Sequence, residues 1–123
     1  MLRVLIVDDE PLIRWSAAET LAEAGHLVVE AGDGRSALAR LAEGPPPDVI
    51  LLDYRLPDSN DLALLATIRR AAPASSVIMM TAYGTPELVA RVSALGVHQV
   101  ISKPFEVRAL LPLVQDAAAS RAQ

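Results

Sequence analysis

Five polar residues of this sequence directly follow short apolar segments: Asp8, Asp9, Asp53, Thr81 and Lys103. Adjacent carboxylates repel one another, so clustered acids are costly unless a cation lies among them. Carboxylate oxygens are hard ligands that suit Mg²⁺, and Mg²⁺ leaves coordination open for a phosphoryl group. A carboxylate can be the nucleophile, an ammonium can neutralise phosphoryl oxygens, and a hydroxyl can donate a hydrogen bond. These residue types therefore predict magnesium-assisted phosphoryl transfer, provided that the fold brings them together.

The elements that must position these residues alternate along the chain. The five predicted strands cover residues 3–7, 27–31, 48–52, 76–80 and 98–102. These segments are short and aliphatic with little polar alternation, which is typical of strands covered on both faces. Amphipathic segments lie between them, and Gly25 follows the first, where a left-handed helix cap would sit. The pattern predicts a doubly wound α/β fold of five βα units, flavodoxin-like, with a parallel sheet in the order 2-1-3-4-5.

Such a sheet binds ligands outside the carboxyl ends of its strands. In the predicted order, the first, third, fourth and fifth strands end at one rim. We therefore expect the three carboxylates, the hydroxyl of Thr81 and the ammonium of Lys103 to meet there.

Composition restricts the function classes. The chain has 123 residues, the size of one ordinary domain, and 52% of them are hydrophobic, enough for a substantial core. The chain has no cysteine, which excludes disulfides and thiolate metal sites and is compatible with a cytoplasmic location. A net charge of −4 without a basic block argues against direct nucleic-acid binding. No apolar run is long enough to predict a membrane span.

Four motifs carry a family resemblance: VDDE at 7–10, LLDYRLPD at 51–58, MTAYG at 80–84 and SKPF at 102–105. In order and spacing they resemble the receiver domain of bacterial two-component response regulators, which is CheY-like. LIRW at 12–15 and TAYG are similar to the receivers of NtrC-like transcriptional activators. The resemblance predicts a receiver domain over 1–120 and a tail at 121–123. It implies a signalling domain rather than an enzyme, one that assists its own Mg²⁺-dependent phosphorylation and dephosphorylation.

The resemblance implies a role for each matching acid. Asp53 corresponds to the phosphoacceptor, which takes a phosphoryl group from the phosphohistidine of a sensor histidine kinase or histidine phosphotransfer protein. Asp9 corresponds to a direct Mg²⁺ ligand, and Asp8 to an acid that acts mostly through a bound water. Asp53 is also among the implied Mg²⁺ ligands, and the backbone carbonyl of Arg55 corresponds to the family's third protein ligand of the metal.

The remaining family positions concern the phosphate and the signal. Thr81 corresponds to the switch hydroxyl, Ala82 to a small residue that leaves room for the donor, and Lys103 to the phosphate-pairing lysine. The resemblance also implies a cis peptide between Lys103 and Pro104.

The family usually has an aromatic residue where this chain has Val100. Because Val100 cannot act as that aromatic switch, we expect Tyr83 and the start of the fourth helix to relay movement of Thr81. The surface of helix four, strand five and helix five is the expected partner face, with a homodimer as one possibility.

Three rival functions can be tested. A flavodoxin would need a hydroxyl-rich phosphate loop after the first strand, where this chain has acids. A haloacid-dehalogenase-type phosphatase would need the pattern Asp-x-Asp-x-Thr there, which is absent. A degenerate receiver, which only binds proteins, would not need the complete set of acids.

Two local features leave questions for the structure. Asn60 and Asp61 replace the Asp-Gly common in the family, and Asn60 is expected to cap the third helix. Pro112 falls within the predicted last helix. Either that helix is kinked near Arg108, or it begins late, so that Pro112 lies in its first turn.

Overall fold

The computed structural model describes residues 1–59 and 62–121. Its five strands form one sheet in the order β2-β1-β3-β4-β5, and all neighbours are parallel. The strands are β1 Arg3–Val7, β2 Leu27–Ala31, β3 Val49–Asp53, β4 Ser76–Thr81 and β5 Gln99–Ser102. The predicted α/β fold and strand order are confirmed, and each predicted strand agrees with the structure to within one residue at either end.

Helices cover both faces of the sheet. They are α1 Pro11–Glu23, α2 Gly34–Ala42, α3 Ala63–Ala71, α4 Pro86–Ala94 and α5 Leu110–Arg121. Buried side chains of α1 and α5 share one apolar core, and those of α2, α3 and α4 share the other. Within the described residues, no helix is long and apolar enough to cross a membrane.

Burial differs between the middle and the edges of the sheet. Every residue of β3 is buried, and β1 and β4 are buried after their first residue. The edge strands β2 and β5 are partly exposed, so the expectation that all five strands are fully covered is wrong for these two. Each edge strand has a neighbour on one side only, and the helices do not extend fully over it.

The register aligns the carboxyl ends of the strands. Val7 pairs with Ala31 and Leu52, and Thr81 at the end of β4 pairs with Ser102 at the end of β5. Residues that directly follow these positions therefore emerge at one rim, as the sequence predicts. Asp53 is the last residue of β3 and lies at the same rim.

Local sequence signals account for several helix ends. Asp33 caps α2 by accepting a hydrogen bond from Ser36 N–H, and Thr85 caps α4 by accepting one from Leu88 N–H. Gly25 has a φ of +93°, the left-handed geometry expected after α1. The predicted cap at Asn60, beside Asp61, lies outside the described residues.

The last helix begins late. A 3₁₀ turn at Val107–Ala109 precedes α5, which starts at Leu110, so Pro112 lies in the first turn of the helix. The second of the two expectations for Pro112 is confirmed. A proline costs little there because first-turn N–H groups have no partner within the helix.

This position predicts a small effect of removing the proline. Pro112→Ala should change the free energy of unfolding by less than about 1 kcal/mol. The matched variant Gln115→Pro, on the exposed side of the same helix, should cost about 3 kcal/mol because it removes an interior hydrogen bond. Urea unfolding of both variants measures the difference, and equal losses would contradict a late helix start.

Candidate functional site

One ammonium group holds three carboxylates together at the rim. Lys103 Nζ, just after β5, donates to Asp8 Oδ2 at 2.8 Å, to Glu10 Oε1 at 2.8 Å and to Asp53 Oδ2 at 3.1 Å. The acids come from the ends of β1 and β3. The structure therefore brings together residues that are as many as 95 positions apart in sequence.

The backbone fixes the two most buried acids. Asp8 is fully buried, and its Oδ1 accepts a hydrogen bond from Glu10 N–H at 2.9 Å. Asp53 is 7% exposed, and Arg55 N–H lies 3.4 Å from its Oδ1, a long contact. Both carboxylates thus have restricted orientations before any ligand arrives.

The charges at the site are not balanced. Burial and the nearby Asp8 carboxylate raise the pKa of Asp53 to about 6, although Lys103 opposes this shift. Burial favours the neutral form of Lys103, but hydrogen bonds to Asp8 and Glu10 prevail and raise the pKa of its ammonium. Three ionised carboxylates beside one ammonium leave a net charge of about −2. A divalent cation would neutralise this excess.

The donor atoms fit Mg²⁺. One carboxylate oxygen from each of Asp8, Glu10 and Asp53 lies within 4.8 Å of the others. All are hard oxygen ligands, which Mg²⁺ prefers. Among the described residues, this group does not include Asp9, which is exposed. The roles of Asp9 and of the Arg55 carbonyl as metal ligands stay predictions.

The hydroxyl of Thr81, the predicted switch residue, already accepts a backbone hydrogen bond. Thr81 is buried at the end of β4, and its Oγ1 accepts a hydrogen bond from Tyr83 N–H at 3.0 Å. Tyr83 is 61% exposed, and the guanidinium carbon of Arg55 lies 4.9 Å from the centre of its ring. This cation–π contact joins the loop after β3 to the loop after β4.

The neighbouring predicted positions lie at the same rim or behind it. Ala82 is exposed directly after Thr81. The backbone N–H of Lys103 donates to the Thr81 carbonyl at 2.8 Å, and the Lys103–Pro104 peptide is cis, the isomer that the resemblance implies. Val100 is half-buried and packs against the core beneath α2, α3 and α4.

Sequence reasoning missed two acids with defined positions. Glu10 joins the cluster through Lys103, and because the chain bends at Asp9, strand alternation does not predict its position. Asp58 accepts hydrogen bonds from Gly34 N–H at 2.8 Å and Arg35 N–H at 3.0 Å, which lower its pKa. It fastens the loop after β3 to the start of α2. No local signal predicts that long-range contact.

Comparisons with known proteins identify the family of this chain. The family model described as "Response regulator receiver domain" matches residues 4–115. The transcriptional regulatory protein PdtaR of Mycobacterium tuberculosis is 39% identical over 92% of this chain and 55% of its own length. The DNA-binding transcriptional regulator NtrC of Salmonella typhimurium is 40% identical over 93% of this chain and 24% of its own length. The chain thus spans about half of PdtaR and a quarter of NtrC.

Solved structures resemble the fold along the whole chain. The crystal structure of a CheY-like response regulator receiver domain protein from Methanospirillum hungatei superposes with a TM-score of 0.91 at 28% identity. The match covers 99% of this chain and 97% of that one.

The raised pKa of Asp53 predicts a pH response of the metal-free protein. A carboxyl whose pKa rises on folding destabilises the folded state as pH increases from its unfolded pKa, about 4, through its folded pKa, about 6. Asp53→Asn removes this loss. Its stability relative to the parent protein should therefore increase by on the order of 2 kcal/mol between about pH 4 and pH 7. Urea unfolding in a chelator measures it.

Asp58→Asn is the matched control with the opposite sign. Its carboxyl has a lowered pKa, so the ionised form stabilises the folded state above about pH 4, and this contribution is lost as pH falls. The control should be less stable than the parent at neutral pH and approach it in acid. An Asp53→Asn difference that stays constant with pH would contradict the raised pKa.

Proposed function

The chain belongs to the response regulator receiver family, as its motifs predict, and we propose that it is the phosphoacceptor of a two-component phosphorelay. The family is one of signalling domains rather than of classical enzymes. In this proposal Asp53 receives its phosphoryl group from a sensor histidine kinase or a histidine phosphotransfer protein. The observation that carries the proposal is the contact of Lys103 with Asp8, Glu10 and Asp53.

The proposed reaction is a displacement at phosphorus. An Asp53 carboxylate oxygen forms the new P–O bond while the P–N bond to the donor histidine breaks, and the histidine nitrogen keeps the electron pair. Lys103 Nζ lies 3.1 Å from Asp53 Oδ2, close enough for its ammonium to neutralise the negative charge on the oxygens of the transferred phosphoryl group. Thr81 at the same rim can donate its hydroxyl hydrogen to one of them. The residues thus supply position and charge stabilisation.

The proposed cofactor is Mg²⁺. Asp8, Glu10 and Asp53 are the acids whose positions fit it, and the resemblance adds Asp9 and the Arg55 carbonyl as ligands. When bound, Mg²⁺ supplies positive charge that favours ionised Asp53 and draws charge from the phosphoryl oxygens. This effect is largest near pH 6, where the raised pKa leaves about half of Asp53 protonated in the metal-free protein.

The proposed output begins at Thr81. Its oxygen accepts from Tyr83 N–H, so a turn of the hydroxyl toward a phosphoryl group breaks this bond and frees the backbone just before α4. The stacking of Arg55 on Tyr83 holds the loop in its present position. Val100 packs in the core and offers no aromatic ring to move. We therefore place the readout at Tyr83 and the start of α4.

Partner and location follow from the same proposal. The face of α4, β5 and α5 is the proposed partner or self-association surface, and sedimentation at increasing concentration of the phosphorylated protein tests a homodimer. The proposed location is the cytoplasm, with which the absence of cysteine is compatible; cell fractionation tests it.

Phosphoryl acceptance can be tested directly. Acetyl phosphate with Mg²⁺ should add one phosphoryl group to the protein, and chelation of the metal should suppress the addition because the carboxylates then repel the incoming phosphate. Asp53→Ala should not be labelled. Intact mass spectrometry at neutral pH measures the product.

Asp58→Asn serves as the control, because it removes an exposed carboxylate of the neighbouring loop that does not contact Lys103. It should be labelled like the parent protein. Equal labelling of Asp53→Ala would show that the phosphoacceptor is another residue. No labelling of any variant by acetyl phosphate or by a phosphohistidine donor would leave a degenerate receiver as the better description.

The output pathway predicts where a phosphoryl mimic acts. Beryllofluoride should shift amide resonances mainly in residues 82–94, and Tyr83→Ala should reduce these shifts because it removes the stack on Arg55. Two-dimensional NMR measures both. Shifts concentrated on residues 97–101 and unchanged by Tyr83→Ala would place the readout on β5 instead.

A further inference from the structure

Arg14 contacts the backbone of Asp8, one of the acids of the cluster, rather than its carboxylate. Its Nη1 donates to the backbone carbonyl of Asp8 at 2.7 Å, and its Nε pairs with Glu30 Oε1 at 3.2 Å. The side chain is 24% exposed. A guanidinium can form both bonds at once because its N–H groups have a fixed, planar arrangement.

The Asp8 carbonyl needs such a donor. Asp8 lies one residue beyond the last paired position of β1, at Val7, so its carbonyl is outside the regular sheet ladder. The residue is fully buried, and an unpaired buried carbonyl is costly. Asp8 N–H donates to Ala31 O at 3.0 Å. Both backbone polar groups of Asp8 are therefore hydrogen-bonded, the N–H to Ala31 and the carbonyl to Arg14.

The position of Arg14 also argues for a specific role. It lies in the first turn of α1, which begins at Pro11, and the positive end of a helix dipole disfavours a cation there. Gly32 leaves room for the guanidinium, because a Cβ at Gly32 would lie 3.2 Å from Arg14 Nη1. An unfavourable helix position is therefore occupied by a side chain that reaches the end of β1.

We propose that Arg14 is a positioning residue, which sets the orientation of the Asp8 carboxylate for Mg²⁺ through the backbone carbonyl of Asp8. The inference rests on the proposed metal site. Asp8 Oδ1 accepts from Glu10 N–H at 2.9 Å, so a shift of the Asp8 backbone is transmitted to both acids. Arg14 also places a fixed positive charge beside the cluster without occupying a carboxylate oxygen of Asp8 or Asp53.

The test is Mg²⁺ affinity, measured by calorimetric titration of Arg14→Gln and Arg14→Lys. Loss of a residue that orients a metal ligand typically weakens metal binding by about 10–100-fold. We expect a loss in that range for Arg14→Gln, and most of it for Arg14→Lys, which keeps the charge but not the planar fork. Arg70→Gln is the matched control for net charge, since Arg70 is exposed and bonds to Thr67 on its own helix.

A second readout uses the metal-free protein. The Glu10 amide should shift its NMR resonance and exchange faster with solvent in Arg14→Gln, because its bond to Asp8 Oδ1 loosens. Glu30→Gln, which leaves the Asp8 contact in place, should change Mg²⁺ affinity less than Arg14→Gln. Arg14→Lys replaces Arg14→Gln if that variant does not fold.

The outcomes separate the two proposals. Parental Mg²⁺ affinity in Arg14→Gln, or in Arg14→Lys if Arg14→Gln does not fold, would overturn the role of Arg14. Parental affinity in Arg14→Lys alone would overturn the hydrogen-bonded geometry in favour of charge. If the parent protein itself does not bind Mg²⁺, the metal site fails, whereas an unchanged Glu10 amide in the metal-free variant counts against Arg14 alone.

Discussion

The rim of the sheet depends on the ammonium of Lys103 lying among three carboxylates. Without a cation, Asp8 and Asp53 would repel each other where both are buried and screening is weak, and exposed Glu10 would add to the repulsion. The strand order makes a long side chain necessary, because β5 lies at one edge while β1 and β3, which carry the acids, lie further in. Lysine suits this position, since its flexible stem delivers a compact charge with three donors. Each donor has a separate carboxylate.

One ammonium neutralises only part of this charge, and burial together with the remaining repulsion from Asp8 raises the pKa of Asp53. The site is therefore held by the fold in a state that favours further positive charge. A metal ion could neutralise the excess negative charge without displacing Lys103, because a carboxylate oxygen can accept a hydrogen bond from lysine while its other lone pairs face a cation. The same imbalance favours the protonated form of Asp53 in the metal-free protein as pH falls toward 6. A bound metal ion and the ionised form of Asp53 would thus favour each other.

Much of this arrangement could be predicted from the sequence because it follows from periodicity and topology. Apolar segments fix the strands, the alternation of elements fixes a parallel sheet, and parallel strands bring Asp53, Thr81 and Lys103 to one rim. It is harder to predict from the sequence which acids of the DDE run at 8–10 lie in the cluster. Glu10, which was not predicted, joins Asp8 and Asp53 because the chain bends at Asp9 beyond the end of β1. The role of Asp9 stays a prediction. The contacts of Arg14 and Asp58 join distant segments through backbone atoms, and backbone atoms leave no pattern in a sequence.

The backbone also connects the two groups that would face a phosphoryl oxygen. Thr81 offers its hydroxyl, and its carbonyl accepts the N–H of Lys103, so β4 and β5 are joined where both side chains emerge. A ligand can shift a conformational equilibrium only by its differential affinity for the two states. The bond from Tyr83 N–H to Thr81 Oγ1 is worth about 0.5–1.5 kcal/mol, as a typical hydrogen bond is, which corresponds to a change of roughly tenfold or less in an equilibrium constant. A stronger switch therefore requires further contacts that differ between the states. In the proposed switch, the stack of Arg55 on Tyr83 would be such a contact, because the backbone bonded to Thr81 and the ring beside Arg55 belong to one residue.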